Sequence, residues 1–312
     1  MSDRTAPAGC LSAYIAARSP LIEAALDAAI PPEGVEPGPL HAAMRYSLFA
    51  GGKRIRPILL LAAAEAAGAT PEAVMPAACA VELIHTYSLI HDDLPSMDDS
   101  ATRRGRPSCH VAFGEALAVL AGDALHALAF GLIARTAQTA GPDRALRVVE
   151  EIAVAIGTQG MVGGQVLDLL AEDREALRHL GRWPQDRRSG VYCIHRWKTG
   201  ALIRACVRAG AILAGASDTV LQAFGTYGEH LGLAFQIIDD VLDEIGDIEA
   251  LGKDARHDAA ASKLTFPSAY GIAESRRIAA EQTDYALAAL APLGPEADIL
   301  REIAHALLTR QS

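Results

Sequence analysis

The stretch HDDLPSMDD, residues 91–99, places four aspartates and one histidine within nine residues of a chain that is otherwise half apolar. With the residues before it, SLIHDDLPSMDD (88–99), it is echoed by AFQIIDDVLDEIGD (234–247), each an apolar helical run ending in an aspartate pair. Asp239 and Asp243 lie four residues apart, so on a helix both carboxylates project from one face, with Asp240 flanking them. Holding like charges together costs repulsion. A hard divalent cation removes that cost, and Mg²⁺ typically takes one or two carboxylates together with water and substrate phosphates. In the first stretch Asp92 and Asp93 close the apolar run, Pro95 disturbs the helix, and Asp98 returns after an offset too long for one regular turn. That offset predicts a local bulge that re-aims Asp98 at the same ion. A single acidic cluster is most often a helix end exposed to water. Two alike argue against it, because apolar helices fold without aspartate pairs.

Base faces acid. TRRGRP (102–107) follows the first cluster and sets Arg103 and Arg104 beside Asp92, Asp93 and Asp98. Arginine binds phosphate directly and bidentately, whereas aspartate does so only through a metal. Metal-binding carboxylates beside guanidiniums describe a diphosphate site. GGKRIRP (51–57) adds Lys53, Arg54 and Arg56 after two glycines that allow close approach of backbone to a ligand. It lacks the GxxxxGK[ST] spacing of a P-loop, so a second, metal-free diphosphate pocket is expected there. His85, two helical turns before Asp92, is placed to face the same cavity; a lone helical histidine is otherwise a core residue. ELIH (82–85) and EIAH (302–305) match the ExxH pattern of di-iron bundles, but that reading leaves both aspartate clusters and the arginines unexplained.

Helices must position these groups. Apolar residues make up 51% of the 312, alanine is abundant and aromatics are only 5%, which favours close-packed helices over sandwiches. Periodicity of helical type predicts helices over 9–30, 40–49, 54–67, 71–92, 114–139, 143–170, 198–214, 217–245 and 275–309, with no strand or hairpin signal and no domain linker. The fold class is therefore all-α. The formal net charge is −10 and there is no basic stripe, which disfavours a nucleic-acid partner. The most apolar stretch, 116–134, is broken by Asp123 and His126 and reads as a buried helix, not a membrane span. Five scattered cysteines without CxxC spacing, and no signal-peptide pattern, predict free thiols in a cytoplasmic, reducing setting.

The ordered series GGKRIRP, LIHDDLPSMDD…RRGRPSCH, AGDAL, GGQVLDL, KTGALIRA, FQIIDDVLD and SKLTFP, spanning about residues 41–270, resembles the trans-polyprenyl diphosphate synthases, and bacterial farnesyl diphosphate synthases most of all. The resemblance implies a single all-helical domain around a deep central cavity, usually a homodimer. It implies that Asp92, Asp93, Asp98, Asp239, Asp240 and Asp243 hold three Mg²⁺ on the allylic diphosphate, with Asp92, Asp98 and Asp239 as metal ligands. Arg103, Lys198, Thr199, Gln236, Lys253 and Lys263 would serve that same diphosphate, and Lys53, Arg56, His85 and Arg104 would hold isopentenyl diphosphate. Tyr87, five residues before Asp92, with Ser88 beside it, would close the cavity and stop growth at a farnesyl product, because bulk there excludes a longer chain.

Three departures from the family pattern stand out: a polar stretch at 172–189 resembling an insertion, Arg256 and Ser262 where glycine is usual, and Ser100 and Ala101 after Asp99. Geranyl or geranylgeranyl products are the nearest alternatives. A terpene cyclase would have no use for the pocket at GGKRIRP. A non-catalytic subunit of a heteromeric synthase commonly loses aspartates, and here all six are present.

Overall fold

The computed structural model describes residues 10–172, 186–251 and 263–309. Lys253, Arg256, Ser262 and most of the polar stretch 172–189 lie outside the described residues. In chain order the elements are α1 (Cys10–Ala29), α2 (Gly38–Leu48), α3 (Ile55–Ala66), α4 (Pro71–Asp92), β1 (Thr102–Arg103), β2 (Arg106–Pro107), α5 (Cys109–Phe113), α6 (Glu115–Arg135), α7 (Ala137–Ala140), α8 (Pro142–Ile156), α9 (Met161–Glu172), α10 (Arg187–His195), a π-helical segment (Arg196–Gly200), α11 (Ala201–Ala214), α12 (Asp218–Leu251), α13 (Phe266–Tyr270), α14 (Ile272–Ala289), a 3₁₀ turn (Pro295–Ala297) and α15 (Asp298–Leu308). The all-α expectation holds. The contacts divide the chain into two compact units, Met1–Val149 with Ala209–Gly215, and Glu150–Arg208 with Ala216–Ser312.

In the first unit α3 and α4 form the centre. Every residue from Pro57 to Ala64 is buried, and alanines at 62–64, 77, 78 and 80 let the two helices approach closely. Pro71 starts α4 at its first turn, where the missing N–H is not needed, after an extended Thr70. α6 packs on α4 through a stripe at Ala118, Ala121, Gly122, Leu125, Ala129, Leu132 and Ile133, the spacing of one helical face. Its other face is uncovered, with Leu120 53% exposed and Val119 also exposed, so α6 is half buried and not the fully buried helix expected from its apolarity. By length and composition alone Pro71–Asp92, Glu115–Ala140 and Pro142–Glu172 could cross a membrane; in the first of these, packing against protein already covers most of the apolar window.

In the second unit α14 lies along α12, and the fully buried Tyr227 of α12 donates its hydroxyl to the Leu300 carbonyl of α15 at 2.7 Å. Two expected helices are split and one helix forms that was not expected. The run 143–170 is broken at 157–160, which holds Gly157 and Gly160, and 275–309 is broken by the APLGPE sequence around Pro292, Gly294 and Pro295. α10 precedes the KTG motif, capped by Asp186, whose carboxylate accepts from the Ser189 N–H at 2.9 Å. A two-residue hairpin also forms where no hairpin was expected. Thr102 pairs with Pro107 and Arg103 with Arg106, around Arg104 and Gly105 at φ 53° and 73°. Positive φ at both central residues is the type I′ turn, which matches the twist of the flanking strands.

Candidate active site

α4 presents three faces in the first unit. His85, Ser88 and Asp92 recur at helical spacing on a half-buried stripe. Tyr87 and His91 turn towards α6: the Tyr87 ring lies 4.8 Å from that of His126 and 5.8 Å from that of His91, and His91 Nε2 lies 3.1 Å from the Val119 carbonyl. Tyr87 is 8% exposed. Thr86, Ile90 and Asp93, on the third face, line a cavity shared with Tyr46, Arg103 and Arg106.

The loop after α4 folds back on the helix end. The Asp98 N–H donates to the Asp92 carbonyl at 2.9 Å, and Ser100 N–H to the Asp93 carbonyl at 3.1 Å, with Asp99 at φ 48°. The seven residues from Asp92 to Asp98 are thus closed into one turn that returns Asp98 to Asp92. Asp93, 3% exposed, accepts from Arg103 Nε at 3.0 and 3.2 Å to its two oxygens and also from Nη2. That hydrogen bonding, outweighing burial, raises the Arg103 pKa. Next to Arg103, in the hairpin turn, Arg104 donates to the Gly51 carbonyl. A Cβ on Gly52 would sit 2.7 Å from the Arg104 guanidinium, so the second glycine of GGKRIRP makes room for this arginine.

Arg54 is not on the cavity side. It adopts the left-handed conformation, φ 49°, at the start of α3 and is buried, bonded to Glu82 at 2.8 Å, Glu23 at 2.7 Å and the Leu48 carbonyl at 2.8 Å. Burial disfavours its charge, but the two carboxylates outweigh that and raise its pKa. Glu82 therefore serves Arg54, which accounts for the ELIH spacing without iron. With Arg54 anchored, Lys53 stands exposed and Arg56 half-buried on the first turn of α3. Among the described residues the non-glycine positive φ angles fall at Arg54, Asp99 and Arg104, one in each charged motif. Such conformations persist where the surroundings over-determine them, commonly at functional sites. Burial first, then the guanidiniums of Arg56, Arg104, Arg103 and Arg54, hold the His85 imidazole well below its ordinary pKa. A neutral donor among guanidiniums suits a polyanion.

In the second unit a hydrogen-bonded chain joins the KTG motif to the second aspartate cluster. Asp240, 7% exposed, accepts at one oxygen from the Phe266 N–H at 2.9 Å and lies 2.6 Å from His195 Nε2; its other oxygen accepts from Gln236 Nε2 at 3.0 Å. Thr199 donates to Gln236 Oε1 at 2.7 Å, and Lys198 Nζ to Asp168 at 2.8 Å. Lys198 and Thr199 sit in the π-helical segment, whose wide turn commonly occurs at functional sites. Lys263 is exposed, three residues before Phe266. His195, Asp168, Glu82 and Glu23 went unread in the sequence as parts of the site. Asp168 lay within a quoted motif, while His195 carries no local signal because its partner is 45 residues away.

The six aspartates fall into two groups. Asp93 and Asp240 are buried and hydrogen-bonded by several donors, whereas Asp92, Asp98 and Asp239 are half-buried and Asp243 exposed. Among the described residues no three His, Cys, Asp or Glu converge on one point. Oxygen donors contributed one or two at a time fit a hard cation that completes its shell with water and phosphate oxygens, so Mg²⁺ suits this donor set.

Residues 38–291 match the polyprenyl synthetase family. A dimethylallyltranstransferase of Fischerella ambigua is 45% identical over 297 residues, 95% of this chain and 83% of that protein. A geranylgeranyl diphosphate synthase of Cyanophora paradoxa is 46% identical over 265 residues, covering 85% of each. Among solved structures, an FPP/GFPP synthase from Zymomonas mobilis in its apo form superposes with a TM-score of 0.83 at 36% identity, covering 97% of this chain and 100% of that one.

Proposed function

The chain belongs to the polyprenyl synthetase family and is a prenyl diphosphate synthase, and we propose that it condenses isopentenyl diphosphate with dimethylallyl and then geranyl diphosphate to make farnesyl diphosphate. Asp92, Asp98, Asp239 and Asp243 would hold Mg²⁺, three ions by family resemblance, which when bound neutralises charge on the leaving diphosphate. Arg103, Lys198 and Lys263, with Lys253, stabilise the same charge as the allylic C1–O bond breaks and its electron pair leaves with pyrophosphate. Asp93, Asp240, Thr199 and Gln236 hold those cations and carboxylates in place. Lys53, Arg56, Arg104 and neutral His85 bind the second diphosphate and orient its alkene. Its C4 then bonds to the allylic C1, and a proton leaves C2 for the released pyrophosphate. No side-chain base is needed.

The observation that carries the farnesyl reading is the buried Tyr87, backed by the His91 and His126 rings. A buried ring packed against two others does not readily yield to a growing chain. A geranylgeranyl product is the second reading, favoured by the name of the Cyanophora relative. The test supplies purified protein with Mg²⁺, labelled isopentenyl diphosphate and dimethylallyl diphosphate, and sizes the dephosphorylated products. Farnesol from wild type and longer alcohols from Tyr87→Ala are expected. Geranylgeraniol from wild type would discard Tyr87 as the stop, and absence of product would overturn the reading.

The uncovered face of α6, with Val119 and Leu120 exposed, supports a homodimer in which a second copy covers it. Free thiols at Cys79, Cys109, Cys193 and Cys206 support a cytoplasmic setting.

A further inference from the structure

Each aspartate pair has one buried member with a cationic or imidazole partner. In the first unit Asp93 is held by Arg103. In the second, Asp240 is held by His195, both nearly inaccessible to solvent. The parallel ends there, because Arg103 is itself placed to meet a diphosphate while His195 is packed away under Phe266, their ring centroids 5.2 Å apart. His195 therefore acts on the site only through Asp240.

Asp240 is the node of this half of the site. Through Gln236 it reaches Thr199, through the Phe266 N–H it fixes the segment that carries Lys263, and its backbone neighbour is Asp239. His195 also closes α10 where the π-helical segment bearing Lys198 begins. One imidazole thus ties the start of the KTG turn to the helix that bears Asp239 and Asp243. We propose that His195 is a positioning residue of the second aspartate cluster, donating from Nε2 to Asp240 so that Asp239, Asp243 and the surrounding cations meet a metal-bound diphosphate in register. The proposal rests on the prenyl diphosphate synthase reading of the site. Hydrogen-bond partners that orient a metal site from outside its ligands are worth about 10- to 100-fold in affinity or activity.

The test compares His195→Asn, whose amide is too short to reach Asp240, with His195→Gln, whose amide nitrogen can occupy the place of Nε2. Binding of inorganic pyrophosphate is measured by calorimetry with Mg²⁺ and with EDTA, so the readout is metal-dependent affinity and needs no turnover. The expected result is an about tenfold or greater loss in His195→Asn, recovered in His195→Gln to within about threefold of wild type, with the KM for isopentenyl diphosphate unchanged in both. Unchanged metal-dependent affinity in His195→Asn, or an equal loss in both variants, would overturn the proposal while leaving the synthase reading intact. A wild-type protein that binds no Mg²⁺-pyrophosphate and forms no product would overturn the synthase reading itself.

Discussion

His85 illustrates how a residue's chemistry is set by what surrounds it. Its position two turns before Asp92 was legible in the sequence, but its charge state was not, because the arginines that press on it come from two separate segments, 51–57 and 102–107. Burial and those guanidiniums keep the folded imidazole neutral where an unfolded histidine titrates near about 6.5. Below that pH the unfolded chain binds a proton that the folded chain does not, so stability falls as pH falls. His85→Gln removes this titration. In urea unfolding, the stability of wild type relative to His85→Gln is expected to drop by up to about 1.4 kcal/mol per pH unit below about pH 6.5. A difference that does not change with pH would mean that His85 protonates freely in the folded protein. The aspartates were legible for another reason: two similar clusters at the ends of apolar runs have no folding purpose. Which aspartate of each pair is buried was not legible, since Asp93 and Asp240 are distinguished only by partners brought from elsewhere.

At the scale of elements, periodicity located α1 to α4, α6, α11 and the start of α12 to within a few residues, because each carries apolar residues at helical spacing. It failed where punctuation should have overruled it. Gly157 and Gly160 split one expected helix, and Pro292, Gly294 and Pro295 split another, although proline and glycine at those positions were plain to see. The hairpin was a subtler miss. Arg104–Gly105 is an unusual type I′ pair, since arginine lacks the ease of asparagine or glycine at positive φ. Its reward is directional: the turn sends Arg103 to Asp93 and Arg104 to the Gly51 carbonyl, so one two-residue loop serves both charged segments. The π-helical turn under Lys198 and Thr199 has no sequence signature of its own.

At the scale of the whole molecule, apolarity that helix packing does not consume points to association. α6 buries one stripe and leaves Val119 and Leu120 outward, a pattern a self-complementary dimer resolves. Wild type is expected to sediment at twice the 32.7 kDa chain mass, and Leu120→Asp to shift towards the monomer; a monomeric wild type would leave that face without the partner proposed. The reading as a catalytic synthase, as against a subunit that kept only the fold, rests on both aspartate clusters acting at once. The most direct measurement is therefore the turnover of Asp92→Ala and Asp239→Ala with isopentenyl and allylic diphosphates under saturating Mg²⁺. Each is expected to lose about 10²-fold or more, as when a group that stabilises transition-state charge is removed. Turnover unaltered in either variant would contradict the account and restore the non-catalytic reading.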